Sequence, residues 1–374
     1  MKVPFVDLAA GVKPDRDAYL AAIAGILDAG AFVGGAAVSD FEAAFARHCG
    51  AAQAIAVGTG TDALLLALRA MGVGPGDEVI TAANSFYATG EAIALAGATP
   101  VLADVDDATL LLDAGDAARR VTKRTKAIIP VHLFGQLADL DAIAGLAGAH
   151  GLAVLEDSAQ AHGATRVGAA GSYRAGSAAA AAAFSFYPTK NLGAFGEGGA
   201  ITTSDAGMAE RVRVLRDHGQ TTRHHHVEVG YNARLDAIQC ACLSIALGRL
   251  DERNAARRAA AAAYRERLRD VAGVRLVDEA PGSTPVYHLM IVRVDAARRD
   301  LVRDRMGADG VATAIHYPRP IHLQPAFASL GQGRGSCPVA ERAADEMISL
   351  PMFPELTVEQ IDHVVASLRR ALGA

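Results

Sequence analysis

The chain has 374 residues, 51% of them hydrophobic, so it can bury a large core and is long enough for two or three domains. Its formal net charge of −5 gives no basic surface for a nucleic acid or an anionic membrane. Apolar runs are too short for a membrane span, and Pro4 and Asp7 stand where a secretory signal would be apolar, so we expect a cytoplasmic protein.

Short apolar runs alternate with helical patterns between residues 52 and 159. Strands are predicted at 52–58, 78–84, 100–106, 126–135 and 152–159, and helices at 61–73, 89–98 and 137–151. Apolar residues fill both faces of these strands, which is typical of parallel strands covered on both sides. The pattern predicts an α/β fold with a mostly parallel central sheet between helices. The alanine-rich segment 176–186 is interpreted as a further strand of small residues.

The pattern changes near residue 236. Residues 236–270 form one long helical pattern, apolar in its first half and charged along one face in its second half. A strand at 286–294 and a helix at 357–373 follow. We therefore predict a large domain over 1–245, which includes the N-terminal segment, and a smaller C-terminal α+β domain over 246–374.

A glycine-containing turn, 58–61, follows the first predicted strand and opens the first helix. Glycine lets a ligand approach the backbone, and a helix N-terminus offers free N–H groups, so the turn suits a phosphate group. The same pattern occurs in dinucleotide-binding folds, but those need an acidic residue at the end of the next strand, where this chain has Ala82, Ala83 and Asn84. An ordinary strand-to-helix turn is the alternative.

Asp157 lies at the carboxyl end of a buried strand, the edge where ligands bind in open α/β sheets. The carboxylate either caps a helix or joins an ion pair, or it faces a protonated heteroaromatic nitrogen. Lys190 follows Ser185 and Phe186 at the end of another strand and precedes a glycine-rich loop. A solvated surface lysine is the ordinary interpretation. A desolvated lysine has a lowered pKa and suits Schiff-base chemistry.

The phosphate turn, Asp157 and Lys190 occur in the order that a pyridoxal phosphate site requires. The chain resembles the nucleotide-sugar aminotransferases of the DegT/StrS type, within the fold-type I superfamily of pyridoxal-phosphate enzymes. The resemblance runs from residue 3 to residue 357. It rests on the segments GTGTDAL (58–64), ANSFYAT (83–89), PVHLFG (130–135), LEDSAQAHGA (155–164), FSFYPTKNLGAFGEGGA (184–200), RDHG (216–219), GYNARLDAIQ (230–239) and HYPRPIHLQPAF (316–327).

The resemblance implies a role for each matched residue. Lys190 forms the Schiff base with the cofactor and moves the proton, Asp157 pairs with the pyridine nitrogen, and Gln160 lies near the phenolic oxygen. Phe86 stacks on the ring. The phosphate is held by Gly60, Thr61 and Ser185 and, from the partner subunit of a homodimer with composite sites, by Asn232. Tyr317 and His322 are expected near the substrate.

The implied reaction transfers an amino group from L-glutamate to a keto sugar linked to a nucleoside diphosphate, through pyridoxamine phosphate. Residues 191–194, Asn-Leu-Gly-Ala, resemble the branch that aminates C3, and Leu192 and Ala194 offer no hydroxyl to a sugar oxygen. This favours a dTDP-linked 3-keto-6-deoxyhexose. The alternatives are a 4-keto-sugar aminotransferase, a sugar dehydratase that uses pyridoxamine phosphate, an NAD-dependent sugar oxidoreductase and a non-catalytic regulator that binds pyridoxal phosphate.

Three consecutive histidines, 224–226, invite a metal interpretation. Adjacent side chains on a strand point in different directions, and no carboxylate follows at ligand spacing. We therefore expect no metal site and interpret this segment as a loop on the substrate side.

Overall fold

The computed structural model describes residues 1–169 and 171–373. Its α-helices are α1 (Leu8–Val12), α2 (Arg16–Ala29), α3 (Ala36–Cys49), α4 (Gly60–Ala70), α5 (Tyr87–Leu95), α6 (Ala114–Arg119), α7 (Leu140–His150), α8 (Ala206–Arg216), α9 (Ala237–Leu247), α10 (Leu250–Leu268), α11 (Arg299–Ala308), α12 (Pro338–Glu346) and α13 (Val358–Leu372). Short 3₁₀ turns lie at Lys13–Asp15, Leu133–Gly135, Ile321–Leu323 and Pro325–Leu330. Across these described ranges, every helix is too short or too polar to cross a membrane.

The strands are β1 (Gln53–Val57), β2 (Glu78–Ala82), β3 (Thr99–Ala103), β4 (Thr125–Ile129), β5 (Ala153–Asp157), β6 (Thr165–Gly168), β7 (Gly171–Arg174), β8 (Ala181–Ser185), β9 (Gly199–Thr203), β10 (Gln220–Thr222), β11 (His225–His226), β12 (Arg275–Leu276), β13 (Ser283–Thr284), β14 (Met290–Arg293) and β15 (Met347–Leu350). The central sheet has the strand order β1-β9-β8-β5-β4-β2-β3. Strand β9 is antiparallel to both of its neighbours, and the other strands run parallel to one another. The predicted α/β class with a mostly parallel sheet is confirmed.

Alternate residues of the strands pack into different cores because successive side chains point to opposite faces of a sheet. On β1, Ile55 and Val57 pack with α4 and α8, whereas Ala54 and Ala56 pack with α3 and α9. Strand β8 divides in the same way, which confirms that the alanine-rich segment contains a strand. The small side chains of β8 leave room for the aromatic rings of α3. The ring centres of Phe45 on α3 and Phe184 on β8 lie 5.0 Å apart.

The predicted long helix over 236–270 is two helices, α9 and α10, separated at Gly248 and Arg249. Glycine is a poor helix former, and the break lets Arg249 pair with Asp15 at 3.1 Å. Helices α10, α11 and α13 enclose the sheet β12-β14-β15 around a separate core. Val3 belongs to that core and pairs with Val311. The domain division at 245/246 stays a prediction.

The strand predicted at 286–294 is shorter than expected. Only Met290–Arg293 forms β14, because Tyr287 has a φ of 44° and the backbone before it turns toward the central sheet. In that turn the N–H of Val286 donates to the carbonyl of Gly135, 2.8 Å away. This brings residues 286–288 beside the large sheet.

Asp107, after β3, ties the central sheet to the second one. Its carboxylate accepts hydrogen bonds from Arg275 at 2.8 Å, Arg293 at 2.8 Å and Arg342 at 2.9 Å. Partial burial raises the pKa of Asp107, but these hydrogen bonds outweigh that effect and hold the pKa well below its usual range. Arg293 is only 2% exposed and also pairs with Glu346.

Replacing Asp107 by asparagine is expected to destabilise the protein by about 1–3 kcal/mol at pH 7, because Arg293 keeps its buried charge but loses one carboxylate. A depressed carboxyl pKa stabilises the fold above the unfolded pKa of about 3.9, so the deficit of the variant shrinks as pH falls below that value. Thermal unfolding at a series of pH values measures this, with Asp106→Asn as the exposed control. An equal deficit at pH 3 and pH 7 contradicts the prediction.

Candidate active site

A cavity of about 730 Å³ opens at the carboxyl edge of the central sheet. Parallel strands end at one edge, so the turns after β1, β2, β4, β5 and β8 converge there. Eight of the ten residues predicted for the site line this cavity: Gly60, Thr61, Phe86, Asp157, Gln160, Ser185, Lys190 and Tyr317. The fold therefore brings together residues that are far apart in sequence.

The corner of the cavity at β1 and β8 is built by the start of α4. Thr59 caps this helix by accepting a hydrogen bond from the N–H of Asp62 at 2.9 Å. Gly60 lies so close to β8 that an added Cβ would come within 2.6 Å of the Cβ of Ser185. The first N–H groups of a helix have no acceptor within it, and the helix dipole favours an anion at this end. The corner has the donors that a phosphate needs.

Asp157 ends β5 and reaches the middle of the cavity. Its Oδ2 accepts a hydrogen bond from the Thr89 hydroxyl at 2.8 Å, and Oδ1 accepts one from the N–H of Ala159 at 3.2 Å. Because the Thr89 proton is used there, Ser85 donates to Thr89 across 2.7 Å. Burial raises the pKa of Asp157, and these donors and the Lys190 charge oppose the rise. A cation in the cavity would stabilise the ionised form.

The neighbouring carboxylate, Glu156, faces away from the cavity. His132 accepts from the N–H of Ala138 at Nδ1, so its Nε2 carries a proton and donates to Glu156 at 2.9 Å. Backbone N–H groups, including that of Gly176 at 3.0 Å, bond the same carboxylate. Despite complete burial, these bonds lower the pKa of Glu156. The hydrogen bonds of Glu156 are all made within the fold, so Asp157 is the carboxylate that can bind a ligand in the cavity.

Lys190 enters the cavity from a turn in which its N–H donates to the carbonyl of Tyr187 at 2.8 Å. Burial lowers the pKa of the lysine to about 8, and the Asp157 carboxylate opposes this shift. An amine with this pKa exists in both forms near neutral pH, so it can act as a nucleophile and transfer protons.

Aromatic side chains form one wall of the cavity. Phe86 is 54% exposed, and its ring centre lies 5.3 Å from that of Tyr317. Gln160 accepts from the N–H of Phe134 at 2.6 Å and donates to the Tyr317 hydroxyl at 3.0 Å. These bonds fix the orientation of the Gln160 amide. Burial, with a smaller contribution from Asp157, raises the pKa of Tyr317.

These features fit pyridoxal phosphate, the cofactor implied by the resemblance. The glycine corner would hold the phosphate. Asp157, whose carboxylate is bonded by two neutral donors, suits the protonated pyridine nitrogen. Phe86 presents an exposed ring that can stack on a planar heterocycle. Lys190 has the lowered pKa that bond formation with an aldehyde needs.

The other two predicted residues lie outside the cavity wall. His322 is 2% exposed, and its Nε2 bonds Glu341 of α12 at 2.9 Å. Pro320 starts a 3₁₀ turn here, and the N–H of Ile321 bonds the carbonyl of Ala83, which directs His322 into the core rather than toward a substrate. Asn232 is exposed and pairs with Asp217 through the backbone. Its predicted role in a partner subunit stays a prediction.

The loop after Lys190 differs from the expectation. Leu192 is 1% exposed and Ala194 is 2% exposed, and both pack in the core beneath β8. Their apolar character is explained by this packing, so the lack of a hydroxyl on Leu192 and Ala194 does not favour C3. Support for C3 must come from elsewhere.

Sequence reasoning missed several residues that line the cavity, and three of them are polar groups used in the arguments here: Thr89, His316 and His288. Thr89 lies within the matched segment 83–89, and its position three residues after Phe86 could have placed it in the first turn of α5. His316 precedes Tyr317 and lines the same cavity. His288 also lines it, but its segment was interpreted as part of a continuous strand. Only the turn at Tyr287 brings His288 there.

The three histidines lie in and beside the short strand β11. His226 bonds the carbonyl of His218 through Nδ1 at 2.8 Å, and the N–H of His224 donates to Gln220 at 3.2 Å. Within residues 1–169 and 171–373, no three histidine, cysteine or acidic side chains come together in a way that could hold a metal ion.

Comparison with known proteins gives the family. Residues 14–369 match the DegT/DnrJ/EryC1/StrS aminotransferase family. The chain is 44% identical to dTDP-3-amino-3,4,6-trideoxy-alpha-D-glucose transaminase of Streptomyces venezuelae, over 98% of this chain and 96% of that protein. It is 45% identical to UDP-N-acetyl-3-dehydro-alpha-D-glucosamine 3-aminotransferase of Acidithiobacillus ferrooxidans, over 99% of this chain and 98% of that one.

Solved structures agree. The crystal structure of S. venezuelae DesV in complex with a ketimine intermediate matches with a TM-score of 0.95 at 44% identity, covering 99% of this chain and 98% of that one. The structure of NtdA from Bacillus subtilis with bound pyridoxamine phosphate matches with a TM-score of 0.92 at 29% identity, covering 100% of this chain and 86% of that one. The chain is therefore a pyridoxal-phosphate-dependent enzyme and belongs to the DegT/DnrJ/EryC1/StrS aminotransferase family.

Proposed function

We propose that the protein transfers an amino group from L-glutamate to the C3 carbonyl of a hexose linked to a nucleoside diphosphate. The observation that carries this proposal is the single cavity in which Lys190, Asp157 and the glycine corner at Gly60 meet. The position of amination is supported by the two relatives described above, both of which are named for a 3-amino or 3-keto sugar. A dTDP-linked 3-keto-6-deoxyhexose is the preferred substrate, and a UDP-linked 3-keto sugar is the alternative.

Five of the residues that line the cavity have a part in this reaction. Gly60, Thr61 and Ser185 would anchor the phosphate of the cofactor, and Asp157 would hold its ring nitrogen in the protonated form. When bound, pyridoxal phosphate supplies an aldehyde that takes up the amino group and a ring that withdraws electrons from the reacting carbon. Lys190 takes a proton at Nζ and returns it, and its pKa of about 8 suits both directions.

A catalytic role is favoured over a regulatory one by the aminotransferase family match and by the two relatives named as aminotransferases. Lys190 and Asp157 alone do not separate the two roles, because a regulator that binds the cofactor would use the same amine and carboxylate. We infer that the enzyme works in the cytoplasm, where nucleotide sugars and glutamate are available.

The position of amination is tested with matched dTDP-linked 3-keto and 4-keto sugars in single-turnover reactions of the pyridoxamine form. Conversion of the 3-keto sugar is expected to be at least about 100-fold faster, because only one carbonyl can lie at reacting distance. A UDP-linked 3-keto sugar in the same series distinguishes the nucleotide. Faster conversion of the 4-keto sugar would overturn the C3 assignment and leave the aminotransferase assignment intact.

We also propose a homodimer in which Asn232 reaches the cofactor phosphate of the partner subunit. Asn232 is exposed and lies outside the cavity of its own chain, as a residue that completes a second site would. Inactive Lys190→Ala and Asn232→Ala subunits, mixed in equal amounts, should regain about one quarter of wild-type activity, since half the dimers then hold one intact site. Verified subunit exchange without recovery contradicts a shared site.

A further inference from the structure

A buried hydrogen-bond network lies directly behind Lys190. The amide nitrogen of Asn191 donates to the side-chain oxygen of Asn254 at 2.9 Å and to the carbonyl of Val286 at 2.9 Å. Asn254 in turn donates to the carbonyl of His162 at 2.8 Å. Because the Val286 carbonyl can only accept, the nitrogen of the Asn191 amide must face it. The network therefore fixes the Asn191 oxygen on the opposite side.

That oxygen fixes the tautomer of His288. Oδ1 of Asn191 lies 3.2 Å from Nδ1 of His288, and since a carbonyl oxygen only accepts, Nδ1 carries the proton. A neutral imidazole then has its lone pair on Nε2. His288 lines the same cavity as Lys190, and no group in 1–169 or 171–373 bonds to Nε2. The cavity thus contains an acceptor with no partner among the described residues.

His288 stays neutral at physiological pH. Burial lowers its pKa well below 6.5, and the positive charges of Lys190 and Arg257 lower it further. The titratable groups that act on it are Lys190, Arg257, His316 and His162. Its Nδ1 bonds the Asn191 amide, and within residues 1–169 and 171–373 no carboxylate bonds the ring to stabilise a second proton.

We propose that His288 is a positioning residue whose Nε2 lone pair accepts a hydrogen bond from the side-chain nitrogen of Lys190 whenever that nitrogen is not bonded to the cofactor. The proposal rests on the proposed function, in which Lys190 is released to carry a proton. A neutral acceptor would keep the ammonium group in the cavity and stabilise its charged form against burial.

Among the described histidines around Lys190, His288 is the one whose hydrogen bonds fix an unbonded acceptor at the cavity wall. The charge of Lys190 interacts with four titratable groups: Asp157, His162, His288 and His316. Asp157 is the expected partner of the pyridine nitrogen. His316 bonds the Ser349 hydroxyl at 2.8 Å, which can donate or accept, and so leaves its tautomer open. His162 lies against Phe184 and Phe186.

Two substitutions test the contributions of Nδ1 and Nε2 of His288 separately. In His288→Asn the amide nitrogen takes the place of Nδ1 and keeps the bond to Asn191, but no atom remains at Nε2. In His288→Gln the longer side chain puts an amide oxygen near the Nε2 position. The pKa of Lys190 is measured in the pyridoxamine phosphate form, in which the lysine is not bonded to the cofactor and Asp157 is expected to face the ring nitrogen. It is obtained from the pH dependence of Lys190 acetylation, read by peptide mass spectrometry.

Loss of the acceptor is expected to lower the midpoint of Lys190 acetylation by about one pH unit in His288→Asn, because the ammonium form loses a hydrogen bond. His288→Gln should stay within about 0.3 unit of the wild type. The half-reaction with L-glutamate, followed by absorbance, should slow about tenfold in the first variant and less than about threefold in the second. A purely structural role would lower the melting temperature without moving the midpoint.

An unchanged midpoint in folded His288→Asn overturns the proposal. If that variant does not fold, the ¹⁵N chemical shifts of the His288 ring in the wild type show which ring nitrogen carries the proton. A proton on Nε2 overturns the proposal equally. If the pyridoxal phosphate form does not react with glutamate at all, the proposed function fails. Acetylation of enzyme reconstituted with pyridoxamine phosphate still decides the role of His288.

Discussion

Replacing Lys190 by alanine is expected to lower turnover by at least about 10⁴-fold, because one side chain both bonds the cofactor and carries the proton. The fold should persist, since the side chain lies in a cavity rather than in a packed core. Steady-state rates with L-glutamate and a keto sugar measure the loss. Borohydride reduction followed by mass spectrometry should attach the cofactor to the wild type and not to the variant.

Lys123→Ala is the control for this experiment. Lys123 is exposed and lies between α6 and β4, far from Lys190 in the chain. The control should retain wild-type turnover and cofactor attachment. More than a few per cent of wild-type activity in Lys190→Ala would show that another group performs the transfer.

Replacing Asp157 by asparagine should lower turnover by about 10²–10³-fold. Asparagine can still accept the Thr89 hydrogen bond, so the geometry at 2.8 Å is preserved while the negative charge is lost. Without that charge the pyridine nitrogen of the cofactor is not held protonated, and the ring withdraws electrons less strongly. The rate of the glutamate half-reaction and the absorbance spectrum of the cofactor measure both effects.

Asp106→Asn provides the matched control, since Asp106 is exposed and caps a turn by accepting from the N–H of Thr109 at 2.8 Å. Equal melting temperatures of the two variants show that the loss is chemical. Turnover of Asp157→Asn within about fivefold of the wild type is inconsistent with a charged partner for the ring.

The parallel sheet was predictable because its strands are apolar on both faces, and each predicted strand between 52 and 159 is present. The ends of such strands meet at one edge, so the sequence alone could place Asp157, Lys190 and the glycine turn together. Their chemistry also follows from residue type. Once buried at that edge, a carboxylate and an amine need a ligand, a hydrogen-bond donor or each other to offset the loss of hydration.

The rest of the site depends on turns that a periodic pattern does not record. The positive φ of Tyr287 ends the strand early and places His288 in the cavity. Pro320 and the hydrogen bond of Ile321 direct His322 into the core, although its neighbour Tyr317 lines the cavity. Gly248 divides a helix whose apolar pattern continues across it. In each case one local backbone geometry decides where the following side chains point.

The pairing of Val3 with Val311 has a consequence for synthesis on the ribosome. The core that contains Val3 also contains Leu372, so members of one core are separated by more than 360 residues and leave the ribosome far apart in time. At a translation rate of 5–20 residues per second, about 15–60 s pass between the synthesis of Val3 and that of Val311. Residues 52–203, which form the central sheet, emerge before Val311 and can fold during this interval. A ribosome stalled before residue 288 would therefore carry a nascent chain with the phosphate corner but without His288, His316 and Tyr317.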